Sequence, residues 1–452
     1  MLPVVLSLAW PTMLEQLMQT AVQYIDTAMV GSLGTHATAA VGATTTVNWL
    51  LSSSLVALGV GFLAYIARAR GAGDHARASR AVAQAVLITL VAGILFTALT
   101  VGLSGYVPVL MQVDPAIRDL AARYFLIIYS PMLFRTAIVL FGTVLRASGD
   151  SKTPMRIGLM MNAVNVALNL LLIYPAREAV LFGHAVRLWG AGWGVEGAAA
   201  ASAVSFVIGG VCMTAALWRH PEMSPRGQSL RPDFAVLGAC MRIAMPNMLQ
   251  RFATSLGYVV FAAMINALGE TATAAHTIAN TVESAFYIPG FGMQTAAATL
   301  AGNAYGAQDN ARMRRLAHMI IFIEISMMSI SGAALFAAAP WMVRLFTDST
   351  AVTALSVTVL RMVAVSEPIY GVSIAIEGMM NGVGETKRPF VFNTAGMWGV
   401  RILGTLLCTR VFGLGLPSAW ACMIAHNVVL FVLFLAYYRR GTWNPMEKGN
   451  AL

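Results

Sequence analysis

Residues 9–34 read AWPTMLEQLMQTAVQYIDTAMVGSLG, and this stretch decides how the rest of the sequence is interpreted. It is apolar and long enough to cross the roughly 30 Å core of a bilayer as a helix, and too long for the core of a signal peptide. It nevertheless contains two carboxylates, Glu15 and Asp26, and one proline, Pro11. Because a charge inside a bilayer is energetically costly, an intramembrane acid indicates a functional site.

The two acids of this stretch lie on one face of the predicted helix. Glu15 and Asp26 are eleven residues apart, which corresponds to about 16 Å along a helix axis. Gln19 and Gln23 fall on the same side. We therefore expect one hydrated stripe on the first helix, with Asp26 as the main candidate. Glu15 either extends this polar path or lies in water at the end of the helix.

The composition is that of a polytopic membrane protein. Of the 452 residues 58% are hydrophobic and only 11% are charged, whereas soluble proteins contain about 25% charged residues. The mean hydropathy of +0.72 indicates the same class. The four cysteines all lie in apolar segments without metal-binding spacing, so we interpret them as small core residues.

Twelve apolar segments are each long enough to span the membrane, and turn residues separate them. They are residues 3–31, 37–67, 82–111, 120–146, 154–175, 195–218, 233–266, 272–302, 316–346, 352–380, 389–410 and 417–438. Loops after the even-numbered segments, with the C-terminal tail, hold eighteen Lys and Arg residues, and the opposite loops hold five. This asymmetry predicts a protein of the cell (inner) membrane with both termini in the cytoplasm. The net charge of +10 is then explained by topology and contact with lipid headgroups, and we expect no binding of nucleic acid.

The sequence contains an internal repeat with an offset of 235 residues. With this offset Pro11 aligns with Pro246, and the loop GAGD at 71–74 aligns with GAQD at 306–309. Each half holds six predicted spans, an even number, so the two halves are parallel repeats. We predict an N-lobe at 1–218, a cytoplasmic linker at 219–232, a C-lobe at 233–440 and a cytoplasmic tail at 441–452. Two such bundles with a polar site between or within them are typical of a transporter.

Several motifs of this sequence resemble the MATE family (multidrug and toxic compound extrusion). They are the opening stretch 9–34, the loop GAGD, LRASGDSKTP at 145–154, GFG at 290–292 and GAQD at 306–309. The resemblance covers essentially the whole chain, and the order and spacing of the motifs match as well. It implies an all-α fold of two six-helix bundles around a V-shaped cleft. It also implies export of organic, often cationic, compounds driven by entry of protons or sodium.

The resemblance also implies which residues form the site. Asp26 matches the acid of the first helix shared by bacterial members, and Pro11 matches the proline at which the DinF-like branch bends. Asn165 matches the family's asparagine in the fifth segment. Asn169 stands where the DinF-like branch usually has Asp, and Ser202 stands near that branch's hydroxyl ligand.

The second half departs from the NorM-like branch. That branch uses acids in its seventh and tenth helices, but the seventh segment here has none and the matching position in the tenth is Tyr370. The sequence is therefore closer to the DinF-like branch. Three glutamates, Glu283, Glu367 and Glu377, remain C-lobe candidates for binding a cation.

The C-lobe acids and three arginines have open alternatives. The C-lobe acids either bind a cation or pair with Arg251 and Arg401, and we expect both arginines to be paired with acids, because an unpaired buried charge is costly. Arg135 in the fourth segment either neutralises an acid or faces the cleft.

Coupling to protons requires a group that is charged or neutral close to ambient pH. Burial raises the pKa of a carboxyl group, so both forms become accessible. Asp26 with the amides of Asn165 and Asn169 fits this requirement, and Glu15 and Gln19 extend the polar path. One carboxylate with amides and a hydroxyl is a lean set for sodium, although sodium at Asp26, Asn165 and Asn169 stays an alternative. No other metal and no cofactor is expected.

The motifs of an enzyme or of a nucleotide-driven pump are absent from the sequence, which lacks HExxH, GxSxG and GxxxxGK[ST]. We therefore predict a monomeric secondary antiporter that exports small organic molecules by alternating access. The main alternative is a lipid-linked oligosaccharide flippase of the same superfamily, for which Arg135, Arg251 and Arg401 would have to bind pyrophosphate. A receptor or scaffold without transport would leave the buried acids unexplained.

Overall fold

The computed structural model describes residues 2–111, 113–181 and 184–447, and these residues are mainly helical. The first half contains α1 (Leu2–Gly31), α2 (Thr35–Gly71), α3 (His75–Leu103), α4 (Val107–Leu110), α5 (Arg118–Tyr129), α6 (Met132–Ala147), α7 (Lys152–Leu172) and α8 (Gly194–Arg219). The second half contains α9 (Phe234–Asn266), α10 (Glu270–Gly306), α11 (Asn310–Arg344), α12 (Thr350–Ala364), α13 (Glu367–Gly382), α14 (Lys387–Ala395), α15 (Leu403–Leu406) and α16 (Leu416–Arg439). Two π-helical stretches, Gly396–Ile402 and Leu407–Val411, flank α15. The last part of the predicted tail, 448–452, lies outside the described residues.

The predicted all-α, twelve-span fold is confirmed. Among the described residues, eight helices are long and apolar enough to cross a membrane, and two bent helix pairs bring this number to ten. The other two spans are α1 and α10, with 30 and 37 residues, which is ample at 1.5 Å per residue. Both are less apolar because they carry many of the polar residues discussed below.

Two of the predicted spans are broken helices. The predicted span 120–146 is α5 and α6, bent by 46°, and the span 352–380 is α12 and α13, bent by 52°. The breaks lie at 130–131 and 365–366, which are equivalent positions of the 235-residue repeat. Pro131 at the first break and Pro368 just after the second lack an amide hydrogen, so the helical hydrogen bonds are interrupted there.

A β-hairpin that the sequence analysis did not predict connects α7 to α8. Its strands β1 (Pro175–Leu181) and β2 (His184–Ala191) are antiparallel, with Pro175 opposite Ala191. The stretch AREAVL…HAVRLW lacks the strict alternation of apolar and polar residues that marks a half-buried strand, so it does not stand out between long apolar segments. The hairpin marks one end of the bundle, here called the hairpin face. The opposite end, where Leu2 and Arg439 lie, is called the terminal face.

The two halves exchange the first turns of their first helices. The beginning of α1, with Val5, Leu8 and Ala9, is part of the same hydrophobic core as α10, α11 and α13. In return Val236 and Cys240 of α9 are part of the core formed by α2, α3 and α6. Val5 and Cys240 are equivalent in the repeat, so the exchange obeys the pseudo-two-fold symmetry.

A reciprocal glycine contact joins the halves at the terminal face. A β-carbon on Gly71 would lie 2.0 Å from the carbonyl oxygen of Asn303, and one on Gly306 would lie 2.0 Å from that of Arg68. Gly71 corresponds to Gly306 and Arg68 to Asn303 in the repeat. The backbones of α2 and α10 therefore touch at two symmetric points that only glycine permits.

One face of α1 shows where the halves separate. Val5, Ala9 and Thr12 are at most 3% exposed, and Thr12 Oγ1 donates to the carbonyl oxygen of Gly292 at 3.0 Å. From residue 16 onward the same face is exposed and polar. Its exposed residues are Gln16, Gln19, Gln23 and Thr27.

These four side chains lie within a sector of about 100° on the helix. Exposed amides and hydroxyls in a membrane span face water and not lipid, because unpaired polar groups in hydrocarbon are costly. The halves therefore pack together near the terminal face, and the predicted V-shaped cleft follows this face of α1 towards the hairpin face. Tyr24 of α1 still joins the halves there, since its hydroxyl donates to the carbonyl oxygen of Thr281 of α10 at 2.9 Å.

Replacing either contact glycine with valine is expected to force the halves apart at the terminal face. In a cysteine-free background, cysteines introduced at Ala72 and Ala307 should cross-link about 10-fold more slowly in Gly71→Val and Gly306→Val, since overpacking costs about 1–3 kcal/mol. Gly102→Val is the control, because no heavy atom lies within 4 Å of the new β-carbon. Equal cross-linking rates in all three variants would contradict this packing.

Candidate functional site

A chain of polar side chains inside the first half joins α1, α7 and α8. Asn169 Nδ2 donates to Asp26 Oδ1 at 2.5 Å and is 3.2 Å from Asn165 Oδ1. Asn165 Nδ2 in turn donates to Ser202 Oγ at 3.1 Å. The structure therefore brings together four residues that the sequence analysis selected, and their order is Asp26, Asn169, Asn165, Ser202.

The local sequence explains how this chain forms. Asn165 and Asn169 are four residues apart on α7 and share one face of that helix. They are 6% and 1% exposed, whereas Asp26 lies at the boundary between the lobe interior and the cleft. Asn169 Oδ1 is buried without a hydrogen-bond partner. The amide thus presents its donor to the carboxylate and keeps one acceptor free.

Glu15 lies on the same side of α1 as Asp26 but contacts a different helix. Arg146 Nη2 of α6 donates to both carboxylate oxygens of Glu15, at 2.8 and 2.7 Å. The two side chains are 20% and 17% exposed, so this is a largely buried ion pair. Gln19, between the two acids on the stripe, is exposed. The path from Glu15 to Asp26 therefore runs along the cleft wall.

Pro11 does not interrupt α1 in this structure. The helix continues unbroken from Leu2 to Gly31 with Pro11 buried inside it. The next residue, Thr12, holds the second half through its bond to Gly292. The hinge at Pro11 stays a prediction, and it lies at the level where the contact between the halves gives way to the cleft.

Arg135 of α6 has no carboxylate partner in the described part of the chain. Its guanidinium donates to Asn48 Oδ1 and to Ser52 Oγ, at 2.5 and 2.9 Å. It also lies over the rings of Tyr129 and Phe206, at 5.8 and 5.0 Å. The sequence left open whether Arg135 neutralises an acid or faces the cleft. The first alternative is wrong for this state.

The C-lobe candidates do not form one network. Glu377 accepts from Gln250 Nε2 at 2.8 Å and from Asn393 Nδ2 at 3.2 Å, in the part of α13 close to the terminal face. Glu367 lies at the start of the same helix and is 2% exposed. One of its carboxylate oxygens is buried without a partner.

The remaining acids of the second half lie around an aromatic cluster. Glu283 is 7% exposed, and it is within electrostatic range of Glu367. Tyr370 packs edge-on against Tyr287, with 6.5 Å between the ring centroids. Glu324 of α11 is fully buried, and neither carboxylate oxygen has a partner. The structure thus places Tyr370 near acids, but not in a hydrogen-bonded site with them.

The predicted pairing of Arg251 and Arg401 with acids is not found within the described ranges. Arg251 Nε donates to Asn247 Oδ1 at 3.0 Å. Arg401 lies between the rings of Tyr258 and Phe261, at 4.8 and 4.2 Å. Neither forms an ion pair, because a neighbouring amide and two aromatic faces occupy the guanidinium groups instead.

The sequence analysis missed the partners of two charged residues. It did not select Arg146, which pairs with Glu15. It also could not place Arg135 against Phe206, which lies four residues after Ser202 on α8. The four-residue spacing of Ser202 and Phe206 puts both on one face of α8, and this spacing is the sequence signal that connects Arg135 with the chain around Asp26.

No group of three or more His, Cys, Asp or Glu residues able to hold a metal ion occurs among the described residues.

Removing one partner of the buried pair between Glu15 and Arg146 is expected to destabilise the protein. Glu15→Gln and Arg146→Gln should each cost about 2 kcal/mol, because the remaining charge is left unpaired, and the double variant should cost less than their sum. The measurement is the midpoint of thermal denaturation in detergent. The exposed pair of Arg123 and Glu196 is the control, with single-variant effects below about 1 kcal/mol. Strictly additive effects at Glu15 and Arg146 would contradict a direct interaction.

Comparison with known proteins connects this geometry with a family. The family profile described as MatE matches residues 11–171 and 246–407, and the two matched segments start 235 residues apart. The chain is similar to the probable multidrug resistance protein NorM of Thermotoga maritima, with 26% identity over 97% of this chain and 92% of that protein. It is similar to the probable multidrug resistance protein YoeA of Bacillus subtilis, with 23% identity over 95% and 91%.

The fold also matches a solved structure. A MOP superfamily transporter from Pyrococcus furiosus superposes with a TM-score of 0.88 at 22% identity, covering 98% of this chain and 96% of that one. The matched segments of the family profile contain α2 to α6 and α10 to α15 completely and most of α1, α7 and α9, with Asp26, Asn165 and Asn169. The chain therefore belongs to the MatE family of membrane transporters.

Proposed function

We propose that this protein is a secondary antiporter that exports small organic compounds in exchange for protons. Membership of the MatE family and similarity to probable multidrug resistance proteins support drug efflux. The hydrogen bond from Asn169 to Asp26 is the observation that carries the coupling proposal. The one carboxylate of this polar chain is partly exposed, which supports proton exchange with the cleft.

The amide of Asn169 suits both protonation states of Asp26. In its present orientation the amide nitrogen donates to the carboxylate, which is the charged form. A rotated amide would offer its free oxygen to the hydroxyl of the neutral form. Because Asn169 Oδ1 has no described hydrogen-bond partner, this rotation would give up only the bonds that Asn169 Nδ2 donates to Asp26 and Asn165.

Protons are favoured over sodium by the ligands available. Sodium requires several hard oxygen ligands, and the chain offers one carboxylate, the amide oxygens of Asn165 and Asn169 and the hydroxyl of Ser202. Asn165 Oδ1 already lies within hydrogen-bond distance of Asn169. No resident metal or other cofactor is needed for the proposed exchange.

The proposed transport cycle moves the two lobes against each other. We place the terminal face in the cytoplasm, because most arginine and lysine residues of the loops lie on that side. In this orientation the cleft along α1 leads towards the outer side, where Tyr24 is bound to Thr281 of α10. The end of the linker 219–232 is fixed to α3, where Gln84 Nε2 donates to the carbonyl oxygen of Arg231 at 2.9 Å and Gln84 Oε1 accepts from the amide of Asp233 at 3.0 Å. The lobes would rock about this linker.

The finer assignments remain part of this proposal. The N-lobe chain of Asp26, Asn165, Asn169 and Ser202 supports the DinF-like branch, while the relative from Thermotoga maritima carries the name NorM. We propose a monomer in the inner membrane that contacts lipid and organic substrate only. The flippase alternative is less favoured, because Arg251 and Arg401 are occupied by Asn247 and by aromatic rings.

Asp26→Asn is expected to abolish coupling while the protein still folds, since the substitution keeps the shape and removes the charge. In proteoliposomes a pH gradient should drive export of a cationic dye by the wild-type protein and not by the variant, with a loss of at least about 10-fold. Asp119→Asn, an exposed carboxylate at the start of α5, is the control and should export normally. If Asp26→Asn exports at the wild-type rate with the same pH dependence, coupling lies elsewhere, and Glu283, Glu367 and Glu377 become the candidates.

Asn169→Asp is expected to shift the site towards sodium, because a second carboxylate adds a hard anionic ligand. With equal pH on both sides, an inward sodium gradient should drive dye export by this variant and not by the wild type. Asn169→Leu is the control, since it supplies no oxygen ligand. Sodium-driven export by the wild-type protein would instead show that the existing ligands suffice.

A further inference from the structure

Two of the four cysteines lie against each other in the second half. Cys408 Sγ is 3.7 Å from Cys422 Sγ, although the two residues are 14 positions apart in the chain. At this distance the two sulfur atoms are in contact. Both side chains are partly exposed. They are therefore a close pair of accessible thiols and not buried core residues.

The pair lies near the membrane surface at the hairpin face. Helix α16 begins at this face, because its other end, Arg439, lies at the terminal face. Cys422 follows the first residue of α16, Leu416, by six positions, which corresponds to about 9 Å along the axis. Arg410, two residues after Cys408, is exposed, and an arginine at the end of a span reaches the lipid headgroups. Reagents on this side of the membrane can therefore approach the two thiols.

A close approach of the last two spans holds the pair together. A β-carbon on Gly404 would lie 3.1 Å from Cys422 Sγ and 3.5 Å from Cys422 Cβ. Gly404 precedes Cys408 by four residues, so both lie on the same face of their span, about one turn apart. Cys422 therefore packs in the space that a side chain at Gly404 would fill, and its sulfur contacts the sulfur of Cys408.

The span that carries Cys408 has irregular helical hydrogen bonding. Cys408 belongs to the π-helical stretch Leu407–Val411, and the other such stretch, Gly396–Ile402, lies one turn earlier. Stretches of this kind are rare and occur frequently at functional sites. The neighbouring α16 is a regular helix of 24 residues. A covalent bond between Cys408 and Cys422 would tie the irregular end of one span to a regular helix.

The other two cysteines lie near the opposite end of the molecule. Cys212 is seven residues before Arg219, where α8 ends at the terminal face. Cys240 is in the first two turns of α9 and is 1% exposed. Disulfides persist in oxidising compartments outside the cytoplasm and are rare inside it. With the terminal face in the cytoplasm, the close pair lies on the side where a disulfide persists, and the two separate cysteines lie on the side where thiols stay reduced.

We propose that Cys408 and Cys422 are a modification site that is oxidised to a disulfide from the outer side of the membrane. This inference rests on the orientation given with the proposed function. The bond holds the outer ends of the last two spans together. It closes a ring of residues 408–422, which contains the exposed connection 412–415.

The oxidant belongs to the class of disulfides, either a small molecule or a protein on the outer side. One thiolate of the pair attacks a sulfur of this oxidant, forms a mixed disulfide and releases the first thiol of the oxidant. The second thiolate then attacks the cysteine sulfur of the mixed disulfide and releases the second thiol. The pair gives up two electrons and two protons in total, and the oxidant is reduced to two thiols.

The probe for this reaction is oxidised glutathione, a disulfide that does not cross membranes. Right-side-out vesicles with the full-length protein are treated with it. The remaining thiols are then alkylated with N-ethylmaleimide in denaturant, and the masses of the intact chain and of its peptides are measured. The wild type should lose two hydrogens without gaining glutathione, and only Cys212 and Cys240 should be alkylated. Alkylation of all four cysteines, or glutathione on both Cys408 and Cys422, would overturn the proposal.

Single variants test whether the two thiols react with each other. In Cys408→Ser and in Cys422→Ser the remaining thiol should end as a mixed disulfide with glutathione, because no second thiolate is in contact with it. Cys212→Ser is the matched control and should form the internal disulfide as the wild type does. Loss of the internal disulfide in Cys212→Ser would show a different pairing and contradict the assignment.

The disulfide should also stabilise the protein. A reductant should lower the midpoint of thermal denaturation of the oxidised wild type in detergent by about 3–5 °C, as expected for a ring of this size. The same reductant should change the midpoint of Cys408→Ser by less than about 1 °C. An equal effect of the reductant on both proteins would contradict a disulfide that holds the two spans together.

A separate measurement tests the orientation on which the proposal rests. Leu414 lies in the outer connection and is 48% exposed. In a cysteine-free background, Leu414→Cys should react with a membrane-impermeant maleimide in right-side-out vesicles. Absence of this reaction would overturn the proposed orientation, and with it the oxidation from the outer side. If Leu414→Cys reacts while Cys408 and Cys422 of the wild type stay reduced, the disulfide alone is wrong and the proposed transport function stands.

Discussion

The structure depends on one constraint, which is that a polar or charged group in the bilayer needs a partner or water. The first half meets this constraint with the hydrogen-bond chain from Asp26 through Asn169, and with the ion pair of Glu15 and Arg146. The exposed amides of α1 meet it by facing the cleft. Together these contacts require that α6 and α7 pack on one side of α1 and that the cleft lies on the other side. The polar residues of α1 therefore fix its position between the lobes.

The second constraint is the pseudo-two-fold symmetry of the repeat. Helices α1 and α9 each begin inside the core of the opposite half, and α2 and α10 touch through equivalent glycines at the terminal face. In these reciprocal contacts each half contributes the equivalent residues of the repeat, and all of them lie at the terminal face of the bundle. Towards the opposite end the side chain of Tyr24 joins the halves by donating to the carbonyl oxygen of Thr281 at 2.9 Å. A side-chain hydrogen bond is more easily released than such close backbone contacts, as alternating access requires.

The symmetry does not extend to the charged groups. In the first half Asp26 of α1 is linked to Ser202 of α8 through two amides, and Arg135 of α6, which has no acid partner among the described residues, lies over Phe206 of α8. The second half has buried glutamates with unpartnered oxygens and an arginine enclosed by Tyr258 and Phe261. The two halves therefore share a backbone and differ in chemistry, and this supports a functional site in one lobe that the other lobe does not duplicate.

The sequence by itself determined the membrane class, the number of spans, the repeat and the candidates Asp26, Asn165, Asn169 and Ser202. These follow from hydropathy, from loop charge and from helical periodicity, which are local properties of the chain. Only the tertiary structure decided the partner of Glu15, the neutral surroundings of Arg135, the separation of Glu377 from the other acids and the hairpin between α7 and α8. Apart from the hairpin, whose strands are neighbours in the chain, those outcomes depend on contacts between distant residues, such as Arg135 and Asn48, 87 residues apart, and Glu15 and Arg146, 131 residues apart. A local pattern carries no information on such distant contacts.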